Sequence, residues 1–224
     1  MIKENLEKIL ATIPSGVRLV AVSKLKTADD ILEAYSAGQR LFGENYATEL
    51  RDKQPLLPAD IEWHFIGHLQ GKQLKYYIPF VSMIHGVDSL DHLAEVDRAA
   101  AKAGRTVDVL LQVHVAQEET KFGFAPVELE NLDHLDNLSN VRICGLMGMA
   151  SNTPDTARVR ADFHSIRLIF ERLKSGLFAG NPAFSEVSMG MSHDYRIAID
   201  EGSTIVRIGS SIFGPRDYSK KPTN

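Results

Sequence analysis

The chain has 224 residues, of which 44% are hydrophobic and 24% charged, the composition of a globular protein with a sizeable core. Its formal net charge of −4 disfavours nucleic-acid binding through a basic face, and no apolar run approaches the roughly 20 residues of a membrane-spanning helix. The single cysteine, Cys144, excludes an internal disulfide and favours a reducing cytoplasm.

The first segment, residues 1–15, reads MIKENLEKILATIPS. It places Ile2, Leu6, Ile9 and Ile13 at helical spacing between charged side chains. This pattern predicts an amphipathic N-terminal helix, whereas a signal peptide would need a continuous apolar stretch.

From residue 18 onward, short apolar runs alternate with amphipathic segments. Eight runs predict strands, namely RLVAVSK (18–24), RLFGEN (40–45), EWHFIG (62–67), MIHGVD (83–88), VDVLLQVHV (107–115), VRICGLMGM (141–149), FSEVSMGM (184–191) and TIVRIGS (204–210). Three of the intervening segments carry capping residues at the start and a glycine at the end, as helices do. Their starts are Thr27, Asp88 or Ser89, and Thr156, and their ends are Gly38, Gly104 and Gly176.

The alternation of strands and helices predicts parallel strands, because each crossover returns the chain to the same end of the sheet. Eight such units indicate an α/β fold with a single closed (β/α)8 TIM barrel and an extra N-terminal helix. An open doubly wound sheet is the alternative. Because no flexible linker divides the sequence, we expect one domain over residues 1–224, with a flexible tail at 215–224.

In such a barrel, reactive groups lie where strands end, and the loops after strands seven and eight often bind phosphate. These loops are GMSHD (190–194) and IGSSIFG (208–214). Their glycines allow backbone N–H groups to approach an anion, and a helix N-terminus adds partial positive charge. Ordinary turns and caps are the alternative interpretation.

Arg207 lies on predicted strand eight. Period-two alternation puts Ile205, Arg207 and Gly209 on one face. If that face is the barrel interior, the guanidinium is buried among apolar neighbours and requires a partner.

Lys24 closes predicted strand one on the same face as Val20 and Val22. The amine either marks where the strand reaches water or is held in a pocket, where low dielectric and a nearby cation would lower its pKa and make it a nucleophile. An aldehyde cofactor with a phosphate needs such an amine, a phosphate site and a group facing its ring nitrogen. Arg207 in that last position would disfavour protonation of a pyridine nitrogen and leave a weak electron sink.

Several long stretches carry a family resemblance. They are LVAVSK (19–24), FGENY (42–46), EWHFIGHLQ (62–70), CGLMGM (144–149), VSMGMSHDYRIAI (187–199) and GSTIVRIGSSIFG (202–214). In these stretches the sequence resembles the pyridoxal phosphate homeostasis proteins, which are similar to the N-terminal barrel domain of alanine racemase. The resemblance spans the chain from the first strand to the last.

The resemblance implies that Lys24 binds pyridoxal 5′-phosphate as a Schiff base. It implies that Ser192, Gly209 and Ser210 hold the phosphate, that Arg207 lies near the pyridine nitrogen, and that Asn45 and Met147 lie against the ring or the Schiff base. It leaves the role of His64, which lies in a matched stretch, open. The family carries or buffers the vitamin B6 cofactor in the cytoplasm without established turnover. The implied partners are the cofactor and pyridoxal-phosphate-dependent apo-enzymes, and we expect a monomer.

Two positions depart from the family pattern. His193 stands where an acidic residue is common, although Asp194 follows as usual. The stretch HLQGKQ (68–73) varies a segment that often contains Pro or Ser and Asn. The first departure bears on the phosphate loop.

The main alternative function is a fold-type III amino-acid racemase. Such an enzyme needs a second acid or base on the face of the cofactor opposite the lysine. Tyr218 is the tyrosine of the C-terminal segment, and we expect it to be exposed to solvent. Binding is therefore favoured over turnover.

A metal-dependent hydrolase is the other alternative, because His64 and His68 form an H-x3-H pair. On a strand and its loop, that spacing does not give the shared helix face of a zinc motif. The remaining candidates His92, His134 and His164 are scattered over predicted helices. Lys121, in TKFGF (120–124), is either a solvated loop residue or a contact for an anionic ligand. We predict no metal site.

Overall fold

The eight predicted strands all form, and they close into one parallel barrel. The structure is a computed structural model that describes residues 1–118, 122–132, 135–215 and 217–220. Lys121 and His134, considered above, lie outside the described residues. The strands are β1 (Arg18–Val22), β2 (Leu41–Glu44), β3 (Glu62–Phe65), β4 (Met83–Val87), β5 (Val107–Gln112), β6 (Val141–Met147), β7 (Glu186–Ser188) and β8 (Ile205–Ile208).

Each strand pairs with the next in chain order, and β8 pairs with β1. The closing register sets Val20 opposite Arg207 and Ala21 opposite Ile208. Closure confirms the predicted (β/α)8 barrel and rules out the open sheet. It also brings the carboxyl ends of all the strands to one rim.

Helices alternate with the strands around the outside. They are α1 (Ile2–Leu10), α2 (Ala28–Ser36), α3 (Ala47–Lys53), α4 (Leu90–Lys102), α5 (Pro126–Glu130), α6 (Thr156–Ser175), α7 (Tyr195–Asp200) and α8 (Ser210–Phe213). Between β3 and β4 the chain forms a 3-10 segment, Gly71–Tyr76, instead of an α-helix. Over the described residues, none of the helices has both the length and the apolar character needed to cross a bilayer.

The N-terminal helix is shorter than the predicted span of residues 1–15. It ends at Leu10, and the Thr12 hydroxyl then donates to the carbonyl of Ile9 at 2.7 Å. Pro14 follows and has no backbone N–H to continue a helical ladder. The side chain of Asn5 donates to the carbonyl of Ile212 at 3.1 Å, which ties α1 to α8.

Two of the three predicted helix starts carry the predicted cap, and the third is capped one residue earlier. Thr27 forms a reciprocal capping box with Asp30 at the start of α2. Ser89 caps α4, and Asp88 instead accepts a hydrogen bond from the ring of His92. Asp155, one residue before the predicted start, caps α6.

The core has two layers. The larger layer lies between the sheet and the helices, and the smaller one fills the barrel interior. The interior layer consists of Val20, Met83, Leu110, Cys144, Met147 and Ile205. Because Ile205 faces inward, alternation along β8 carries Arg207 inward as well.

A β-bulge in β6 sets the direction of Met147. Val109 pairs with Ile143, but the next residue of β5, Leu110, pairs with Gly145, so Cys144 is the extra residue. The bulge lets Cys144 and Met147 both face the interior, although they are three positions apart. Gly145 has a φ of 152°, and an added Cβ would lie 1.8 Å from the carbonyl oxygen of Glu186.

We therefore expect Gly145→Ala to lower the free energy of unfolding by about 3 kcal/mol, because it adds a backbone clash to an unfavourable φ. Urea denaturation measures the change. Gly104→Ala is the matched control, since Gly104 also has a positive φ, 64°, but nothing lies within 4 Å of its added Cβ. The free energy of unfolding of the control should fall by only about 1 kcal/mol. Equal decreases in the two variants would contradict the clash.

Candidate functional site

A cavity of about 360 Å³ opens at the rim formed by the carboxyl ends of the strands. All the residues predicted to contact a ligand line it: Lys24, Asn45, Met147, Ser192, Arg207, Gly209 and Ser210. They lie at or just beyond the carboxyl ends of five strands, β1, β2, β6, β7 and β8, so barrel closure is what brings them together. Their roles toward a ligand remain predictions.

A larger groove of about 780 Å³ lies elsewhere, on the outer surface between the 3-10 segment and α4. Lys72, Lys75, Arg98 and Lys102 line it together with apolar side chains. It does not contain the residues at the strand ends, where barrels of this kind carry out chemistry. The cavity at the rim is therefore the candidate site.

Lys24 lies in a turn just beyond β1 and not on the strand, which ends at Val22. The prediction of a strand through residue 24 was wrong at this end. The next residue, Leu25, adopts a left-handed backbone with φ of 61°, which no strand accommodates. Val22 and Lys24 nevertheless both line the cavity, as alternation predicted.

Arg207 is 5% exposed, and its partners are neutral. The guanidinium donates to the Ser188 hydroxyl at 2.6 Å and to the Gly148 carbonyl at 3.1 Å. Burial lowers the pKa of Arg207 to about 10, and Asp194 partly opposes this shift. Arg207 therefore stays charged at neutral pH, and the partner that its burial requires is supplied by a hydroxyl and a carbonyl.

A chain of buried hydrogen bonds continues from Arg207 into the barrel. Ser188 Oγ lies 3.0 Å from His85 Nδ1, and His85 Nε2 lies 2.9 Å from His64 Nδ1. Burial lowers the pKa of His64 to about 3 and that of His85 well below its usual value. Both rings are therefore neutral at pH 7.

The chemistry of arginine fixes the first bond of this chain. Arg207 is a donor only, so Ser188 accepts from it. The Ser188 hydroxyl keeps a second lone pair and its own proton, so it can pair with either neutral tautomer of His85. Between His85 Nε2 and His64 Nδ1 one nitrogen carries a proton and the other does not, so the tautomer of one ring determines that of the other.

Three donors converge after strands β7 and β8. The hydroxyl of Ser210 lies 3.2 Å from that of Ser192, and the N–H of Gly209 donates to Ser192 Oγ at 3.4 Å. The backbone N–H of Met191 donates to the Asp194 carboxylate at 2.6 Å and closes the loop. Because α8 has only four residues, these donors rather than a long helix dipole would attract an anion.

Asn45 supplies a buried atom without a partner. Its Oδ1 is buried and makes no hydrogen bond within the structure. Gly67 packs closely against the backbone of Asn45, since an added Cβ would lie 2.1 Å from the main-chain carbonyl oxygen of Asn45. A ligand with a hydrogen-bond donor would satisfy this atom, since buried polar atoms are rarely left unpaired.

The charged side chains that line the cavity are all basic among the described residues. Among the described residues that line it, Lys24 and Arg207 are cations and none is a carboxylate. Met147 and Ile66 add apolar surface. The cavity is thus suited to an anionic ligand with an apolar ring and an electrophilic carbon within reach of an amine.

The rim also includes Phe122 and Gln112, which sequence reasoning did not single out, beside His68 and His193, which it did. Phe122 stacks on His68 with ring centroids 4.0 Å apart, and Gln112 donates to the Phe122 carbonyl at 2.7 Å. His68 lies 3.5 Å from Asp88, while His193 is exposed at the other side of the rim. Over the described residues, no group of three or more His, Cys, Asp or Glu side chains is arranged to hold a metal ion.

His85 and Ser188 were also missed. Strand alternation contained a signal for His85, because Met83 faces the interior and His85 lies two positions further on β4. Ser188 is the last residue of the short strand β7. The pairing of these residues with His64 depends on neighbouring strands, which the sequence does not display.

Comparison with known proteins supports the barrel fold and identifies the family. The family described as "Alanine racemase, N-terminal domain" matches residues 1–217. A pyridoxal phosphate homeostasis protein of Bos taurus is 40% identical over 237 residues, which cover 98% of this chain and 86% of the relative. The structure of PipY from Synechococcus elongatus with PLP bound is 36% identical in sequence and has a TM-score of 0.86. The match covers 96% of this chain and 100% of the PipY chain.

A more distant neighbour shows the fold alone. An alanine racemase from Clostridium difficile has a TM-score of 0.75 at 13% identity. The match covers 94% of this chain but 55% of the racemase. The shared part is the barrel.

The buried histidines predict a pH dependence of stability. Below pH 6.5 the unfolded chain binds protons that folded His64 does not, so stability is lost as pH falls toward 3. We expect this histidine to contribute about 2 kcal/mol of the loss between pH 7.5 and 5. His64→Gln should therefore be less stable at pH 7.5 but lose about 2 kcal/mol less on acidification.

Chemical denaturation at both pH values measures this difference, and comparison of the two proteins removes the contributions of other groups. His164→Gln is the control, because His164 is exposed on α6 and pairs with Glu201. It should follow the wild-type curve. Parallel curves for His64→Gln and wild type would contradict a neutral buried His64.

Proposed function

The chain belongs to the pyridoxal phosphate homeostasis family, and from this premise we propose that it binds pyridoxal 5′-phosphate in the cavity at the barrel rim, as a Schiff base on Lys24. The role that follows is intracellular vitamin B6 homeostasis, in which the protein carries or buffers the cofactor. The observation that carries the proposal is the cavity itself, where an amine, a buried guanidinium and three converging hydrogen-bond donors meet, and where none of the described lining residues is a carboxylate.

Ser192, Ser210 and the backbone N–H of Gly209 would hold the phosphate. Without an anion these groups bond to one another, and an anion would replace those contacts with charge-assisted ones, which are stronger. The loop is already closed by Asp194. His193, which departs from the family pattern, is exposed and leaves these donors in place.

Arg207 would face the ring nitrogen. When bound, the cofactor supplies an electrophilic aldehyde carbon and a ring that draws electron density. The groups to which Arg207 donates, the Ser188 hydroxyl and the Gly148 carbonyl, are neutral, and the neutral ring of His85 behind Ser188 brings no proton to that nitrogen. The ring nitrogen would stay unprotonated, which weakens the electron sink and suits holding over turnover.

Asn45 and Met147 would complete the pocket. The unpartnered Oδ1 of Asn45 would accept from a donor of the cofactor near Lys24. Met147, directed inward by the bulge of β6, would pack against the ring.

The wider role is proposed on the same grounds. We place the protein in the cytoplasm as a monomer, with the whole chain forming one cofactor-binding domain. The acceptors of the cofactor would be pyridoxal-phosphate-dependent apo-enzymes. The fit of the cavity to the cofactor and the family membership support this proposal.

We expect the protein, after incubation with the cofactor, to show the visible absorption band of a Schiff base, and borohydride to abolish it. Mass spectrometry should locate the reduced adduct on Lys24. Lys24→Ala should lose the band, whereas Lys72→Ala, which removes an exposed lysine that does not line the cavity, should keep it. A full band in Lys24→Ala would sink the assignment.

The racemase alternative makes a separate demand, a second acid or base at the cofactor. Tyr218 is 64% exposed, as expected, and is not among the residues that line the cavity. We therefore expect no exchange of the α-proton when the loaded protein meets amino acids in deuterated water. Exchange with any member of a panel, measured by NMR, would favour a racemase.

A further inference from the structure

A buried group of charges lies on the outer side of the barrel, behind Lys24. Lys53 Nζ lies 2.7 Å from Glu44 Oε1 and 2.7 Å from Glu49 Oε1. The side chain of Glu44 is fully buried, and those of Lys53 and Glu49 are 10% and 11% exposed. None of these three residues, the acid–lysine cluster, lines the cavity.

The cluster holds both peptide groups that flank Lys24. Lys53 Nζ donates to the carbonyl of Ser23 at 2.8 Å, and that carbonyl belongs to the peptide group before Lys24. The N–H of Leu25 belongs to the peptide group after Lys24 and donates to Glu49 Oε1 at 2.6 Å. The Ser23 hydroxyl also donates to Glu44 Oε1 at 2.7 Å.

The turn held in this way is strained. Leu25 is the one non-glycine residue with a positive φ in the part of the chain that the structure describes. A left-handed backbone carries a conformational penalty for any residue with a Cβ. The backbone bond from Lys26 to the Ser23 carbonyl closes the turn at 3.1 Å, and the cluster supplies the remaining contacts that oppose relaxation.

The cluster is poorly suited to a purely stabilising role. It sets two carboxylates against one ammonium, and Glu44 Oε2 and Glu49 Oε2 are buried without partners. Burial, reinforced by the charge of Glu49 and opposed by that of Lys53, raises the pKa of Glu44 to about 7. Buried ion pairs of this kind add little net stability, because desolvation offsets their attraction. Their effect is therefore on geometry.

We propose that the acid–lysine cluster positions Lys24 by fixing the backbone on both sides of it from the outer face, which directs the amine into the cavity. Glu44 ends β2 and precedes Asn45, while Glu49 and Lys53 lie on α3. The cluster thus joins the Lys24 turn to the segment that carries Asn45. The inference rests on the proposed function in one respect, namely the molecule with which the Lys24 amine reacts. How the cluster holds the turn does not depend on that function.

The first test uses the full chain without any ligand. Glu49→Met keeps the length of the side chain and removes the acceptor of the Leu25 N–H, so amide hydrogen exchange at Leu25, followed by NMR, should accelerate about tenfold. Glu49→Gln keeps an acceptor and should restore most of the protection. Glu171→Gln, which alters an exposed pair with Arg167 on α6, is the control and should leave Leu25 unchanged.

The second test compares two ligands. Pyridoxal 5′-phosphate reacts with an amine, whereas pyridoxine 5′-phosphate has an alcohol in place of the aldehyde and tests the rest of the cavity. Glu49→Met should weaken Schiff-base formation about tenfold and leave the affinity for pyridoxine 5′-phosphate unchanged. Lys53→Met should act in the same direction, and thermal unfolding shows whether each variant is folded. If Lys53→Met does not fold, the two Glu49 variants decide.

Unchanged exchange at Leu25 together with wild-type Schiff-base formation would overturn the inference. An equal loss of affinity for both ligands would overturn it as well, because that outcome indicates general damage to the cavity. If the wild-type protein forms no adduct on Lys24, the proposed function fails, and the exchange experiment still judges whether the cluster holds the turn.

Discussion

Arg207 carries a positive charge into the barrel interior, where a hydroxyl and a carbonyl rather than a carboxylate receive it. Burying a charge with neutral partners leaves part of its desolvation uncompensated. Two features of the rim follow from that condition. Ser188 must accept from the guanidinium, which its hydroxyl does at 2.6 Å, and the cavity in front must favour an anion. Lys24 adds to the same field, so the rim attracts anions before any specific contact forms.

The two faces of the sheet have different roles. The inner face supplies polar groups that meet a ligand, and the outer face supplies a charged cluster that holds the backbone behind Lys24. Lys24 lies in the turn where these faces meet, beyond the last ladder bond of β1. A residue placed there is directed by its neighbours on both sides and not by the sheet alone.

The apolar runs and their spacing were sufficient to predict eight parallel strands and their closure into a barrel, because these depend on local periodicity. Alternation also put Arg207 on the face of Ile205, but only the structure shows that this face is the barrel interior. The sequence did not reveal that β1 stops at Val22, since the left-handed Leu25 is held by Glu49 from a distant helix. Glu44 directly precedes Asn45 in the sequence, yet its side chain pairs with Lys53 and does not line the cavity. Met147 reaches the cavity only through a bulge, which breaks the period-two pattern. Each failure involves a partner on another element.

The hydrogen-bond chain inside the barrel ends at a guanidinium that has no lone pair. Arg207 donates to Ser188 and cannot accept from it, so a proton cannot pass from His64 and His85 through Ser188 and the guanidinium to the cavity. The chain therefore does not connect the barrel interior to the cavity as a proton relay would. It would let the guanidinium face a basic ring nitrogen while no proton reaches that nitrogen from the barrel floor, and the protonation state of a ligand at the rim would be set from the solvent side alone.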